Sequence, residues 1–142
     1  MTTKRKPRSP SEDQIHVACA QWLERQWPQS PPELVKRHGV RWISHELRNA
    51  KSRVEGAKRK DRGCRAGDPD IELIYGRVAH FLELKTSKGS LSDAQIDERA
   101  RILAAGGFWA LCRSPDDLIS QLHSWGFPIR GEAPRHVQEP VI

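Results

Sequence analysis

Two hydrophobic periods divide the chain into elements. Ile15, Ala18, Cys19, Trp22 and Leu23 recur at three- and four-residue spacing, behind an S-x-x-Q box made by Ser11 and Gln14. That pattern predicts a capped helix with one apolar face. Pro28, Pro31 and Pro32 close it, and VRWISH, 40–45, reads as a strand. Segment 47–66 has few apolar residues and reads as a surface excursion, with a short helical stretch around 51–61. The period then changes to two, predicting strands near 70–75 and 78–85 joined by Gly76-Arg77. Ser92 and Gln95 repeat the capping box, and Ile96, Ala100, Leu103 and Ala104 supply the next helix with an apolar face. Gly106-Gly107 ends that helix, and FWALCR, 108–113, reads as a strand. Ser114-Pro115-Asp116-Asp117 opens a last helix, with acids at the positive end of its dipole. Its Leu118, Leu122 and Trp125 point inward, and Gly126 stops it. The sum is an α/β sandwich, a mixed central sheet flanked by helices in αβββαβ order with one more helix behind.

At 142 residues the chain is one domain. Residues 1–9 read as a disordered basic arm, 10–126 as the folded domain and 127–142 as an irregular tail. No apolar run nears the roughly 20 residues of a membrane span, and the basic start lacks a secretory apolar segment. The expected location is cytoplasmic. Cys19 and Cys112 fall on apolar faces and read as core thiols, and Cys64 lies among arginines. Their spacing does not suit a structural zinc site.

The net charge of +6 is uneven. Residues 36–65 carry eleven Lys/Arg against three Asp/Glu, and residues 1–8 carry four positive charges. A basic block on a mildly acidic domain suits a polyanion, nucleic acid first, with Lys51, Arg53, Lys58, Arg59, Lys60, Arg62 and Arg65 as phosphate contacts. The plainer reading is a solvated loop.

The hairpin holds the sharpest chemistry. A two-residue Gly-X loop suits a type II′ turn. Its register sets Asp70 opposite Glu83, with Lys85 two residues on along the same face, while Ile71, Leu73, Tyr75, Val78, His80, Leu82 and Leu84 take the other. Like charges face to face destabilise a sheet. A hard divalent cation between them, Mg²⁺ or Mn²⁺, reverses that sign. The competing explanation is a salt-bridged sheet edge in which Lys85 pairs both acids.

Pro69-Asp70, then Glu83-Leu84-Lys85, resembles the PD-(D/E)XK nuclease signature, with its restriction-endonuclease-like core. Gly67-x-Pro69-Asp70, the E-L-K strand, Leu91-Ser92-x-x-Gln95 and the later GGFWALCRSPDDL are similar to the virus-type replication-repair nuclease (VRR-NUC) branch, over roughly 64–125. The resemblance implies that Asp70, Glu83 and the Leu84 carbonyl chelate the metal. It implies too that Lys85 positions the attacking water and that Gln95 lies near Lys85 and the scissile phosphate. Gln95 also has a capping role open to it. Glu12 matches the acid that can complete the metal site, or else is a first-turn acid favouring the dipole; Glu46 is another candidate. Asp68 departs from the family, which has a small or apolar residue there. Such stand-alone domains form homodimers and act on branched DNA, including Holliday junctions.

The sequence therefore reads as a Mg²⁺/Mn²⁺-dependent DNA endonuclease. One rival is a catalytically silent DNA-binding or assembly factor on the same fold. Another is a metal-dependent hydrolase of a small phosphorylated substrate, against which stand the basic block and the lack of a Gly-rich phosphate cradle. Trp27, Trp42 and Trp109 are either interface anchors for a homodimer or core residues.

Overall fold

The computed structural model describes residues 8–45 and 53–130. Glu46 and Lys51 lie outside the described residues, as do 1–7 and 131–142 of the expected arm and tail. Helix α1 (Glu12–Gln26) opens on Ser11, whose hydroxyl accepts the Gln14 N–H while the Gln14 side chain caps the Ser11 N–H. Its buried face is Ile15, Cys19 and Leu23. A short helix α2 (Pro32–His38) follows where the sequence reading placed only a stop. Its signals were present: Pro32 occupies the first turn, where its missing N–H costs nothing, and Gly39 at φ 79° ends it.

Strand β1 (Arg41–Ser44) leads to α3 (Arg53–Asp61), the basic helical stretch of the excursion, and then to β2 (Ile71–Tyr75) and β3 (Val78–Leu84). Helix α4 (Asp93–Ala104), β4 (Phe108–Cys112) and α5 (Pro115–Ser124) complete the order. The sheet runs β1-β2-β3-β4, antiparallel at its first two junctions and parallel between β3 and β4. A mixed sheet results because α4 carries the chain across to a parallel neighbour, which a tight hairpin cannot do.

The β2–β3 register pairs Tyr75 with Val78 and Ile71 with Leu82, as the two-residue loop requires. The turn type differs from expectation. Gly76 and Arg77 both have positive φ, 60° and 67°, which is type I′ rather than II′. Both types use two residues, so the register is unaffected. Ile71, Leu73, Leu82 and Leu84 are buried against Ile15, Cys19, Leu23, Leu118 and Leu122, placing α1 and α5 on one face. Phe127 joins this core and Trp27 Nε1 donates to the Pro128 carbonyl, so packed chain runs past the expected boundary at 126. Trp27 is 1% exposed and is core, not an interface anchor. Trp42 donates to the Trp27 carbonyl, and Trp109 lies under Arg99.

Helix α4 covers the opposite face, turned differently from the sequence expectation. Ile96 and Leu103 are exposed, as are Ala100 and Ala104, and Ile102 is the buried residue. Gln95 reaches Glu83 and Arg99 sits over Trp109, so polar side chains face the sheet. This half of the sheet carries the acids, and a buried carboxyl needs a donor more than it needs a leucine.

His80 is enclosed by aromatic rings, stacked on Phe108 at 4.9 Å and edge-on to Phe127 at 4.8 Å. Burial holds its pKa below the usual 6.5, and its Nδ1 has no partner. A depressed histidine stabilises the fold above its unfolded pKa, and that contribution is lost as pH falls through the folded value. Thermal melting of the native protein should therefore drop as pH falls below 6.5. His80→Phe should lose less over the same range, in melts monitored by circular dichroism.

Candidate active site

The centre forms just beyond the last paired residues of the hairpin. One residue past the Ile71–Leu82 pair, the register brings Asp70 opposite Glu83. Both are enclosed, at 3% and 1% exposure. Asp70 ends the turn Gly67–Asp70, and its Oδ2 accepts the Leu84 N–H at 2.7 Å. Its carbonyl accepts the His45 N–H at 2.8 Å, tying the turn to β1. Gly67, at φ 88°, lies so close to α4 that a Cβ there would run into the Ala94 carbonyl. Only glycine allows that approach, which seats the start of α4 above the acids.

Gln95 takes the capping role and also reaches the acid pair. Its Oε1 accepts the Ser92 N–H at 2.9 Å, completing the capping box, and its Nε2 donates to Glu83 Oε1 at 2.8 Å. Glu83 Oε2 is buried and has no hydrogen-bond partner among the described residues. Burial first, and the adjacent Asp70 second, push the Glu83 carboxyl from 4.5 up to about 9; Lys85 opposes the rise and Glu12 adds slightly to it. Enclosure beside a second acid thus favours the protonated form of the Glu83 carboxyl.

Lys85 is half-buried and anchored by its N–H to the Cys112 carbonyl at 3.0 Å. Among the described residues it makes no ion pair with Asp70 or Glu83, which disfavours the salt-bridged sheet edge. Leu84 points its side chain into the core. Glu12 is exposed in the first turn of α1, near enough for its charge to be felt at Glu83. Among the described residues no three His, Cys, Asp or Glu side chains form a metal-binding group. The side-chain donors brought together here are the Asp70 and Glu83 carboxyls. An orphaned, buried carboxylate oxygen beside a second carboxyl suits a hard cation such as Mg²⁺ or Mn²⁺.

Two residues at this centre escaped the sequence reading. His45 bridges acids, with Nδ1 3.1 Å from Asp68 Oδ2 and Nε2 3.1 Å from Glu72 Oε2. Burial raises the Asp68 pKa, and His45 is the main opposing influence. The unusual Asp68 is thereby engaged with His45. Arg113 uses one nitrogen to hold the carbonyls of Thr86 and Gly89, at 2.6 and 2.7 Å, fixing the loop that leaves Lys85. Neither lies in a periodic pattern; the only signal was a charged residue at a strand end.

The basic residues lie mostly on and after α3, with Arg65 closest in sequence to the acids. Arg53, Lys58, Lys60, Arg62 and Arg65 are exposed, and Arg59 pairs with Glu55 at 2.8 Å. Cys19 and Cys112 are buried and pushed up to about 12, which makes them core thiols rather than nucleophiles. No described helix is long and apolar enough to cross a membrane.

No protein-family model matches the sequence, and no curated protein does. Among solved structures the fold is similar to a "VRR_NUC domain protein", with a TM-score of 0.61. Identity is 18%, over 83% of this chain and 89% of that one. The chain therefore has a VRR-NUC-like fold.

The raised Glu83 pKa has a testable sign. A carboxyl whose folded pKa exceeds its unfolded one stabilises the protein fully below the unfolded value, and this is lost as pH rises toward the folded one. In chelator, that contribution to stability should decline between pH 4.5 and about 9, with a slope of up to one proton. Glu83→Gln should flatten the slope in denaturant titrations across that range. An unchanged slope would contradict a raised Glu83 pKa.

Proposed function

We propose that the chain is a Mg²⁺- or Mn²⁺-dependent endodeoxyribonuclease acting on branched or junction DNA. The observation that carries this reading is the buried Asp70–Glu83 pair with one carboxylate oxygen left without a donor. A cation there, held by Asp70, Glu83 and the Leu84 carbonyl, with Glu12 as a candidate further ligand, would supply Lewis-acid stabilisation of charge on the phosphate. The cation's charge would favour the ionised form of Glu83, against the burial that raises its pKa. Gln95 holds Glu83 in place and excludes water from one side of the carboxyl. Lys85, free of either acid, has its ammonium available to orient a nucleophilic water and to offset charge that develops on the phosphate oxygens. Arg53, Lys58, Arg59, Lys60, Arg62 and Arg65, with Lys51, would hold the backbone without reading sequence. The VRR-NUC-like fold supports the nuclease class.

Alanine at Asp70, Glu83 or Lys85 should lower the cleavage rate roughly 10²–10⁴-fold, and double replacements should cost little more. A panel of labelled linear, flapped and four-way DNAs with Mg²⁺ or Mn²⁺ measures this, with binding in Ca²⁺ retained by the variants. Cleavage at the native rate by Glu83→Ala would reject the assignment. If the variants and the native protein bind branched DNA tightly and none cuts it, the silent binding factor is the correct reading.

Salt tests the basic block separately. The log–log slope of affinity against salt is about −0.9 per phosphate contact on duplex DNA. Replacing Lys58, Arg59 and Lys60 with alanine should flatten it by up to about three units. An unchanged slope returns the segment to a solvated surface.

Cutting both strands of a symmetric junction requires two centres, so a homodimer belongs to this proposal. Light scattering at micromolar concentration should give twice the 16.2 kDa chain mass.

A further inference from the structure

Beside the candidate centre, β3 and α4 flank an open groove of about 510 Å³, within the roughly 300–1,000 Å³ of small-molecule sites. Ala79, Phe81 and Ile102 form its apolar floor, Val78 lines it at the hairpin end, and Arg65, Arg77 and Arg101 form its rim. Its two walls are the elements that carry the centre. Phe81 and Glu83 alternate on one face of β3, so their backbones are about 7 Å apart, close to one extended nucleotide. Gln95, Glu98 and Ile102 follow at i, i+3 and i+7 on one face of α4. The groove is thus the straight continuation of the centre toward the hairpin turn.

Its charge fits a phosphate. Glu98 is the one acid in the lining, and a single oxygen, Oε2, faces both Arg65 at 3.5 Å and Arg101 at 3.0 Å. Three cations therefore meet one anion, and the shared carboxylate oxygen holds two guanidinium groups at the rim. Arg77, exposed at the turn, has no ion-pair partner among the described residues. Arginine forks suit phosphate oxygens, and an aromatic floor suits the face of a base, whatever its identity.

We propose that this groove is a subsite for one unpaired nucleotide adjoining the cleaved bond, with its base over Phe81 and its phosphate between Arg77 and Arg101. The subsite rests on the nuclease reading and deepens it. A base stacked in a duplex cannot enter a groove between sheet and helix without leaving its partner, whereas a base at a flap or junction is already free. The groove therefore favours branched over continuous DNA.

The test uses the full chain and a labelled flapped DNA whose cut has been mapped, with an abasic unit placed one nucleotide to either side. For the native protein, the abasic unit on one side only should lower kcat/KM about tenfold, in line with the stacking lost. Phe81→Leu, which keeps an apolar floor, should lose a similar factor on intact DNA and be insensitive to the abasic unit. Arg77→Gln combined with Arg101→Gln should raise KM more than it lowers kcat. It should also reduce the salt slope by about 0.7, the single-strand value for one phosphate. An abasic unit without effect on the native protein, or independent losses from it and from Phe81→Leu, overturns the subsite. If the native protein cuts no DNA in either metal, the nuclease reading fails on its own. The groove is then decided by fluorescence anisotropy of a labelled oligo(dT) in Ca²⁺: equal affinity for the native, Phe81→Leu and double-Arg proteins overturns it, and weaker binding by both variants supports it.

Discussion

Two carboxyl groups enclosed at the end of a hairpin constrain most of what surrounds them. Asp70 and Glu83 sit side by side away from water, where burial raises the Glu83 pKa, and the protein answers with one backbone donor and one amide. The backbone donor is Leu84 N–H, which ties Asp70 to the strand that carries Glu83. The amide is Gln95, which requires the start of α4 to stand over the sheet. Gly67 makes that position possible, since any side chain there would collide with the helix backbone. The centre is pre-organised through its surroundings: His45 and Arg113 do not belong to the acid pair but hold the two loops that flank it.

The two faces of the sheet divide the work. One packs Ile, Leu and Cys side chains from α1 and α5 into a dry core, where hydrophobic burial supplies the stability. The other holds the acids, Gln95, the Arg99–Trp109 contact and the arginine-rimmed groove. A strand alternates its side chains, so β3 serves both faces: Leu82 and Leu84 inward, Phe81 and Glu83 toward α4. The chemistry thus rests on a strand fixed by the core behind it. A site on such a strand is held more closely than one on a free loop.

Much of this was legible in the residues. A two-residue loop between two period-two runs sets the register, and the register alone puts Asp70 across from Glu83, even though the turn proved to be type I′. Both capping boxes, at Ser11 and Ser92, were readable because capping is local and depends on residues three apart. The basic excursion was plain from charge. These features arise within a few residues of backbone, where geometry follows from composition. Tertiary structure decided the rest. Apolar periodicity pointed α4's Ile96 and Leu103 inward, but helix rotation is set by what the helix packs against, and an acid-bearing sheet face drew Gln95 and Arg99 instead. The location of the proton on Glu83 depends on burial, which no spacing encodes. Nor could the order of residues bring Gly67 against Ala94, His45 between Asp68 and Glu72, or Arg77 and Arg101 to one groove. Those approaches join segments far apart in the chain, and only packing of the whole domain determines them.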